Sequence, residues 1–200
     1  MASTVIDLIR HGEPVGGIRF RGQTDDPLNT KGWQQMEDAL GDYRAWDLIV
    51  SSPLLRCREF AERTAERLRL PLEIEPRFRE IGFGSWEGLT AEEIARVHPS
   101  VLKQFYRDPA QNPPAGGEAL SAFQARVTSA WEEMLATHGD KHILLVCHGG
   151  TIRIILSHLL QISLTNLFRL TVMNAGITRI QHFSDANQSF AQLIFHHGKL

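Results

Sequence analysis

Cysteine is scarce: Cys57 and Cys147 are the two in 200 residues, too few for a disulfide framework, and each sits in a run that reads as interior. A reducing compartment is implied, and a cytoplasmic location is the expectation. No apolar stretch approaches the roughly 20 residues that cross a bilayer. No basic segment followed by a long apolar one marks an export signal, so no membrane association is expected. An excess of either charge is missing too. The 21 Lys and Arg against 23 Asp and Glu give a formal net charge of -2, which argues against a nucleic-acid binder with its basic stripe. Any anion affinity must therefore be local. Nor is there an internal repeat, a low-complexity tract or an interdomain linker. What remains, at 42% hydrophobic and 22% charged residues, is an ordinary globular chain, read as one domain over residues 1–200 and expected as a monomer or homodimer.

The hydrophobic pattern alternates between strand and helix. Thr4 to Ile9 is a short β-rich run that stops at Arg10-His11-Gly12 and opens into a Pro/Gly-punctuated loop from Pro14 to Pro27. A helix is expected over Thr30–Arg44, a strand over Asp47–Val50, and a second helix opened by Ser52-Pro53 and continuing to about Leu68. Leu72–Glu75 is a third strand. Ile81 to Pro114 has no single period and reads as an excursion beside the site, with short helical pieces at Ala91–Val97 and Val101–Tyr106. Glu118–Thr137 returns to helix, His142–Cys147 is the most apolar strand, Thr151–Leu160 is a helix, and Leu167–Val172, Ile177–His182 and Phe190–Phe195 are terminal strands. The expected fold is α/β, a three-layer sandwich with a mainly parallel central sheet flanked by helices. Its ligands should gather at the carboxyl ends of the strands.

Three strand ends carry chemistry. The first delivers Arg10 and His11, the second Ser51 and Ser52 ahead of a helix bearing Arg56, and the late apolar strand His148 with Gly149-Gly150. Two guanidiniums can grip a phosphoryl group by charge-assisted, potentially bidentate hydrogen bonds. Gly12, Gly22, Gly149 and Gly150 let backbone N–H groups approach it. A histidine in such a pocket can be a proton shuttle, a donor or a nucleophile. His11 is read as the nucleophile through a neutral ring nitrogen, and a protonated His148 as the donor that stabilises charge in transfer. An acid must protonate the leaving oxygen, and Glu80 in Arg79-Glu80-Ile81-Gly82-Phe83-Gly84 is preferred over Glu13 and Glu87. A metal site from His11, Glu13, Glu80 and His148 is disfavoured, because two arginines would repel a cation and no compact motif such as H-E-x-x-H occurs.

Arg10-His11-Gly12-Glu13, Ser51-Ser52-Pro53-Leu54-Leu55-Arg56, Arg79 to Gly88, and Cys147-His148-Gly149-Gly150 together resemble the histidine phosphatase superfamily, in its phosphoglycerate-mutase-like branch. The resemblance implies a phosphomonoesterase that needs no cofactor or metal and acts on a small-molecule phosphate monoester. It implies transient phosphorylation of His11, a phosphate pocket completed by Arg10, Arg56 and His148, and Glu80 as proton donor and then activator of water. Within the branch the chain is similar to alpha-ribazole phosphatases of cobalamin biosynthesis, through Arg21 to Leu28 and Pro114-Ala115-Gly116-Gly117-Glu118. Three departures stand out. Gly16-Gly17 replaces an asparagine that helps hold phosphate in many relatives, so one phosphate contact is either missing or supplied by Gln23, beside Gly22 and Gly149. Leu28-Asn29 replaces a Leu-Thr pair, and Phe60 a common threonine. Arg19 and Arg21 flank the pocket and can be read either as contacts for a second anionic group or as solvated loop residues; His182, His196 and His197 are read as surface residues. The competing readings are a cofactor-dependent phosphoglycerate mutase and a noncatalytic phospho-ligand binding module.

Overall fold

A computed structural model describes residues 2–184 and 188–200. Twelve labelled elements follow in chain order: β1 (Ala2–Arg10), α1 (Thr30–Leu40), β2 (Leu48–Ser51), α2 (Leu55–Leu68), β3 (Leu72–Ile74), α3 (Ala91–Val97), α4 (Val101–Arg107), α5 (Leu120–Thr137), β4 (His142–Cys147), α6 (Gly149–Leu159), β5 (Ile177–Ser184) and β6 (Ser189–Gly198). The strands form one sheet in the order β3-β2-β4-β1-β5-β6. β1 to β4 run parallel, and β5 and β6 extend the sheet antiparallel.

Both faces of the central strands are covered, which is why β4 reads as an unbroken apolar run. Ile143, Leu145 and Cys147 join Ile6 and Leu8 in a core with Phe123, Trp131, Ile152 and Ile155 of α5 and α6. Leu144 and Val146 join Ile9 and Ile49 on the other face, against Met36 and Leu40 of α1 and Phe60 of α2. Phe60 thus fills space in this core. A third, smaller cluster of Trp86, Ile94 and Phe105 packs with Phe20, Phe83 and Phe168. It gives the excursion between β3 and α5 an apolar anchor of its own.

Several boundaries move for identifiable reasons. α1 starts where Asn29 accepts from the Gly32 amide at 2.7 Å, so the asparagine caps in place of the usual threonine. It ends at Leu40 because Gly41, at φ 48°, turns the chain and bonds back to Glu37, short of the expected Arg44. α2 begins at Leu55 without a side-chain cap, since the Ser52 hydroxyl lies 2.6 Å from His148 Nε2 instead. Leu167–Val172 is not a strand: Leu164–Arg169 is a 3₁₀ turn. Leu167 and Val172 are buried in the core, while the Thr171 carbonyl accepts from His196 and His197 and the Val172 carbonyl from Arg10. Side chains thus bind carbonyls that a ladder would have used.

Candidate active site

The parallel register brings the predicted residues to one edge. Arg10 lies beside Cys147, and Ser51 beside Val146, so the next residues, His11 and His148, emerge side by side with ring centroids 5.3 Å apart. The His11 Nδ1 atom is 2.8 Å from the Gly12 carbonyl oxygen. A carbonyl only accepts, so Nδ1 carries the hydrogen and Nε2 keeps its lone pair. Burial, reinforced by the charges of Arg56 and Arg10, holds the His11 pKa well below its ordinary value. Its ring is therefore neutral at physiological pH.

His148 is fully buried, and burial, Arg56, His11 and Arg10 hold its pKa well down too. The expected protonated donor is therefore a neutral imidazole here, able to offer one N–H. Cys57 packs against it, with Sγ 3.7 Å from Nε2. Burial pushes the Cys57 thiol far up, so it is not a nucleophile.

Arg56 is fully buried and Arg10 half-buried, and both are held by carbonyls rather than carboxylates. Arg10 donates to the Val172 carbonyl, and Arg56 to those of Thr24, Gly22 and Arg21. The Nε atoms of both arginines are buried without a partner, an arrangement that costs stability and is met by an incoming anion. Arg56 and His148 are fully buried, His148 against the His11 ring, and neither lines the cleft. Arg10, His11, Glu80 and Gly149 do line it, and its volume is about 470 Å³.

Glu80 is placed by two amides: Ile81 N–H donates to Oε1 at 3.0 Å and Gly150 N–H to Oε2 at 2.9 Å. Gly150 is required there, because a Cβ would sit 2.1 Å from Glu80 Oε1. The rival carboxylates are occupied elsewhere. Burial raises the pKa of Glu87, but bonds from the Thr24 hydroxyl and the amides of Phe83, Gln23 and Thr24 outweigh it and keep it ionised. Glu13 faces Asn29 and Lys31.

Gly22 and Gln23 do not meet the expectation of phosphate contacts. Both backbone N–H groups are bonded to Glu87, and the Gln23 amide donates to the Glu80 carbonyl at 3.3 Å. Gly16 and Gly17, at φ 83° and 74°, form a turn. The Val15 and Gly17 carbonyls there accept from Arg21, which also pairs with Asp26 at 2.6 Å. Arg21 thus staples the loop rather than reaching for a ligand. Arg19 binds the Gly88 carbonyl and Glu93. His196 and His197 are not idle surface residues, since both hold Thr171 next to the Arg10 acceptor. Among the described residues, no three His, Cys, Asp or Glu side chains converge as a metal site.

Asn174 and Arg153 are among the cleft residues that the sequence did not single out. Asn174 lines the cleft from the segment before β5, and Arg153 from α6. The second had a signal: it lies one helical turn after Gly149, so its side chain reaches the same end as the motif. A scaffold pair was missed as well. Glu118 and Arg126 are bonded through two contacts, and Arg126 also donates to the carbonyls of Arg77, Arg79 and Glu80.

Comparison with known proteins agrees with this geometry. Residues 6–192 match the profile of the histidine phosphatase superfamily (branch 1). The chain is 30% identical over 177 residues to the putative phosphoserine phosphatase 2 of Hydrogenobacter thermophilus, covering 86% of this chain and 87% of that one. The native structure of a mycobacterial glucosyl-3-phosphoglycerate phosphatase superposes with TM-score 0.86 at 30% identity, over 98% of this chain and 99% of that one. A putative alpha-ribazole-5'-P phosphatase from Escherichia coli K-12 does so with TM-score 0.80 at 26% identity, over 96% and 95%.

Proposed function

The chain belongs to the histidine phosphatase superfamily and is a hydrolase of phosphate monoesters; on that premise we propose that it cleaves a small-molecule ester by double displacement through phospho-His11, without a metal. The observation that carries the reading is the His11 tautomer. Nδ1 is held by Gly12, and burial together with the neighbouring guanidiniums keeps the ring neutral, so an unprotonated Nε2 is available at the cleft wall.

In this mechanism Nε2 attacks phosphorus while Arg10 and Arg56 balance the charge on the nonbridging oxygens. The bond to the ester oxygen breaks, and the Glu80 carboxylic acid gives that oxygen its proton, releasing the alcohol. Glu80, now a carboxylate, takes a proton from water as the water oxygen attacks phospho-His11. Inorganic phosphate leaves, and His11 is neutral again. A dianionic phosphoryl group beside His148 offsets the cations that hold down its proton affinity, so its N–H donor strengthens when substrate is bound. This is why a neutral His148 in the free pocket is compatible with a stabilising role.

Alpha-ribazole 5'-phosphate stays among the candidate substrates. The segments that suggested it are engaged in scaffolding: Thr24 holds Glu87 and Glu118 holds Arg126. Rapid quenching during turnover of p-nitrophenyl phosphate should trap an acid-labile, base-stable phosphoryl adduct on His11, insensitive to chelators. Strict dependence on added metal, or undiminished turnover by His11→Ala, would overturn the reading. Efficient phosphoglycerate isomerisation with negligible phosphate release would favour a mutase. Phosphate-ester binding without turnover would favour a binding module.

A further inference from the structure

The cleft holds more cationic capacity than a phosphoryl group requires. Of the arginines lining it, Arg19 is paired with Glu93 and Arg21 with Asp26, and Arg10 belongs to the phosphate pocket. Arg153 forms no ion pair among the described residues. Its Nε donates to the Leu170 carbonyl at 2.9 Å, and its guanidinium lies 5.5 Å from the centre of the Phe168 ring. Burial pulls its pKa down and the nearby Glu80 charge opposes that shift, but an arginine stays a cation in either case. No ion pair joins it to Glu80 among the described residues; the Glu80 carboxylate oxygens accept from backbone amides.

This cation adjoins the phosphate pocket: a Cβ on Gly149 would lie 3.2 Å from Arg153 Nη1 and 3.5 Å from Arg10 Nε. Arg153 shares a wall with Phe83, Phe105, Tyr106 and Phe168 on the side of Glu80, where the leaving oxygen must lie if Glu80 is to protonate it. With Nε occupied, one Nη pair is left to form a fork, which suits a single carboxylate. A second phosphoryl dianion would call for more positive charge; Arg10 and Arg56 are two arginines for one phosphoryl group.

We propose that Arg153 is a specificity residue that binds a carboxylate on the leaving group, so that the enzyme prefers phosphorylated hydroxy acids over esters of uncharged alcohols. This rests on the assignment of Glu80 and His11 above. The surrounding rings exclude water from one side of the ion pair, which strengthens it relative to an exposed one.

The matched pair 3-phosphoglycerate and glycerol 3-phosphate tests this, since they differ by a carboxylate against a hydroxymethyl group. The wild type should favour 3-phosphoglycerate at least tenfold in kcat/KM for phosphate release. In Arg153→Met and Arg153→Lys, that ratio should fall by at least tenfold and by a smaller factor, respectively, with the change mainly in KM. Melting curves and p-nitrophenyl phosphate turnover report whether each variant is folded. A wild-type ratio near one would overturn the inference, as would equal losses on both esters, which would make Arg153 part of the phosphoryl pocket. Absence of p-nitrophenyl phosphate turnover by the wild type would instead sink the catalytic reading, and this inference with it.

Discussion

Asp7 and Arg10 are three residues apart on β1, the first fully buried and the second half-buried, and their surroundings are opposite. Asp7 Oδ1 accepts from Arg179 Nε at 2.8 Å, and Oδ2 accepts from Arg179 Nη2, Trp46 Nε1 and His142 Nε2 at 2.9, 2.9 and 2.8 Å. Burial pushes its pKa up, but these bonds outweigh it and hold the carboxyl below its ordinary value. Arg10 has one carbonyl partner and a buried Nε with none. No carboxylate pairs with it among the described residues. A buried charge whose every lone pair is met is a structural joint. One left short of partners is a binding group, destabilising until its ligand arrives.

Replacing each charge should therefore do opposite things. Arg10→Met is expected to lower kcat/KM for p-nitrophenyl phosphate by about 10³-fold, the scale of losing a preorganised donor to a developing charge. Its stability in urea should shift by no more than about 1 kcal/mol, since little is bonded to the side chain it replaces. A large loss of stability would show that Arg10 is a joint like Asp7.

Asp7→Ala reverses the pattern. It leaves Arg179 and His142 without their buried acceptor, and a stability loss of about 3–5 kcal/mol is expected. Specific activity of the folded fraction at low temperature should remain near that of the wild type. Loss of activity with stability preserved would break the comparison from the other side.

How much of this was legible in the sequence follows the same division. The shared edge was readable, because a parallel sheet with buried faces brings His11, Ser52 and His148 together once the apolar strands are recognised. The Gly-Gly pair after His148 was readable as a place of close approach, and Glu80 against Gly150 is that approach. The partners were not legible. Nothing in the local pattern says that Glu87 takes the amides of Gly22 and Gln23, 65 and 64 residues away, or that Arg21 folds back on Gly16-Gly17. Leu167–Val172 has the composition of a strand, but its carbonyls are claimed by distant arginine and histidine side chains. The depressed proton affinity of His148 was not legible either, since it depends on complete burial and on the cations the fold collects around it.

The two charge environments should separate by pH as well. The folded-state pKa values of His11 and His148 lie well below 6.5. As pH falls through about 6.5 the unfolded chain takes up a proton on each while the folded chain does not, so stability falls with pH. The slope approaches at most about 1.4 kcal/mol per pH unit for each histidine. The Asp7 contribution is complete above about pH 4 and is lost only as pH drops through its lowered folded value. Urea midpoints from pH 7.5 to 5 should therefore show a shallower slope in His11→Asn than in the wild type. Identical slopes would mean that His11 titrates normally in the folded protein.

Arg126 provides the finest test, because it is a fully partnered arginine at the catalytic end. It bridges Glu118 and the carbonyls on either side of Glu80, so by the rule above it is a joint, and its effect on chemistry must pass through the placement of Glu80. Arg126→Lys keeps the charge but cannot span these acceptors. Turnover of alkyl phosphates, which need a proton on the leaving oxygen, should drop about tenfold, within the range attributed to general acid catalysis. Turnover of p-nitrophenyl phosphate should change about twofold, with KM for both nearly constant. A steeper dependence of rate on leaving-group pKa in the variant separates positioning of the acid from a general loosening of the fold, which would slow both esters alike.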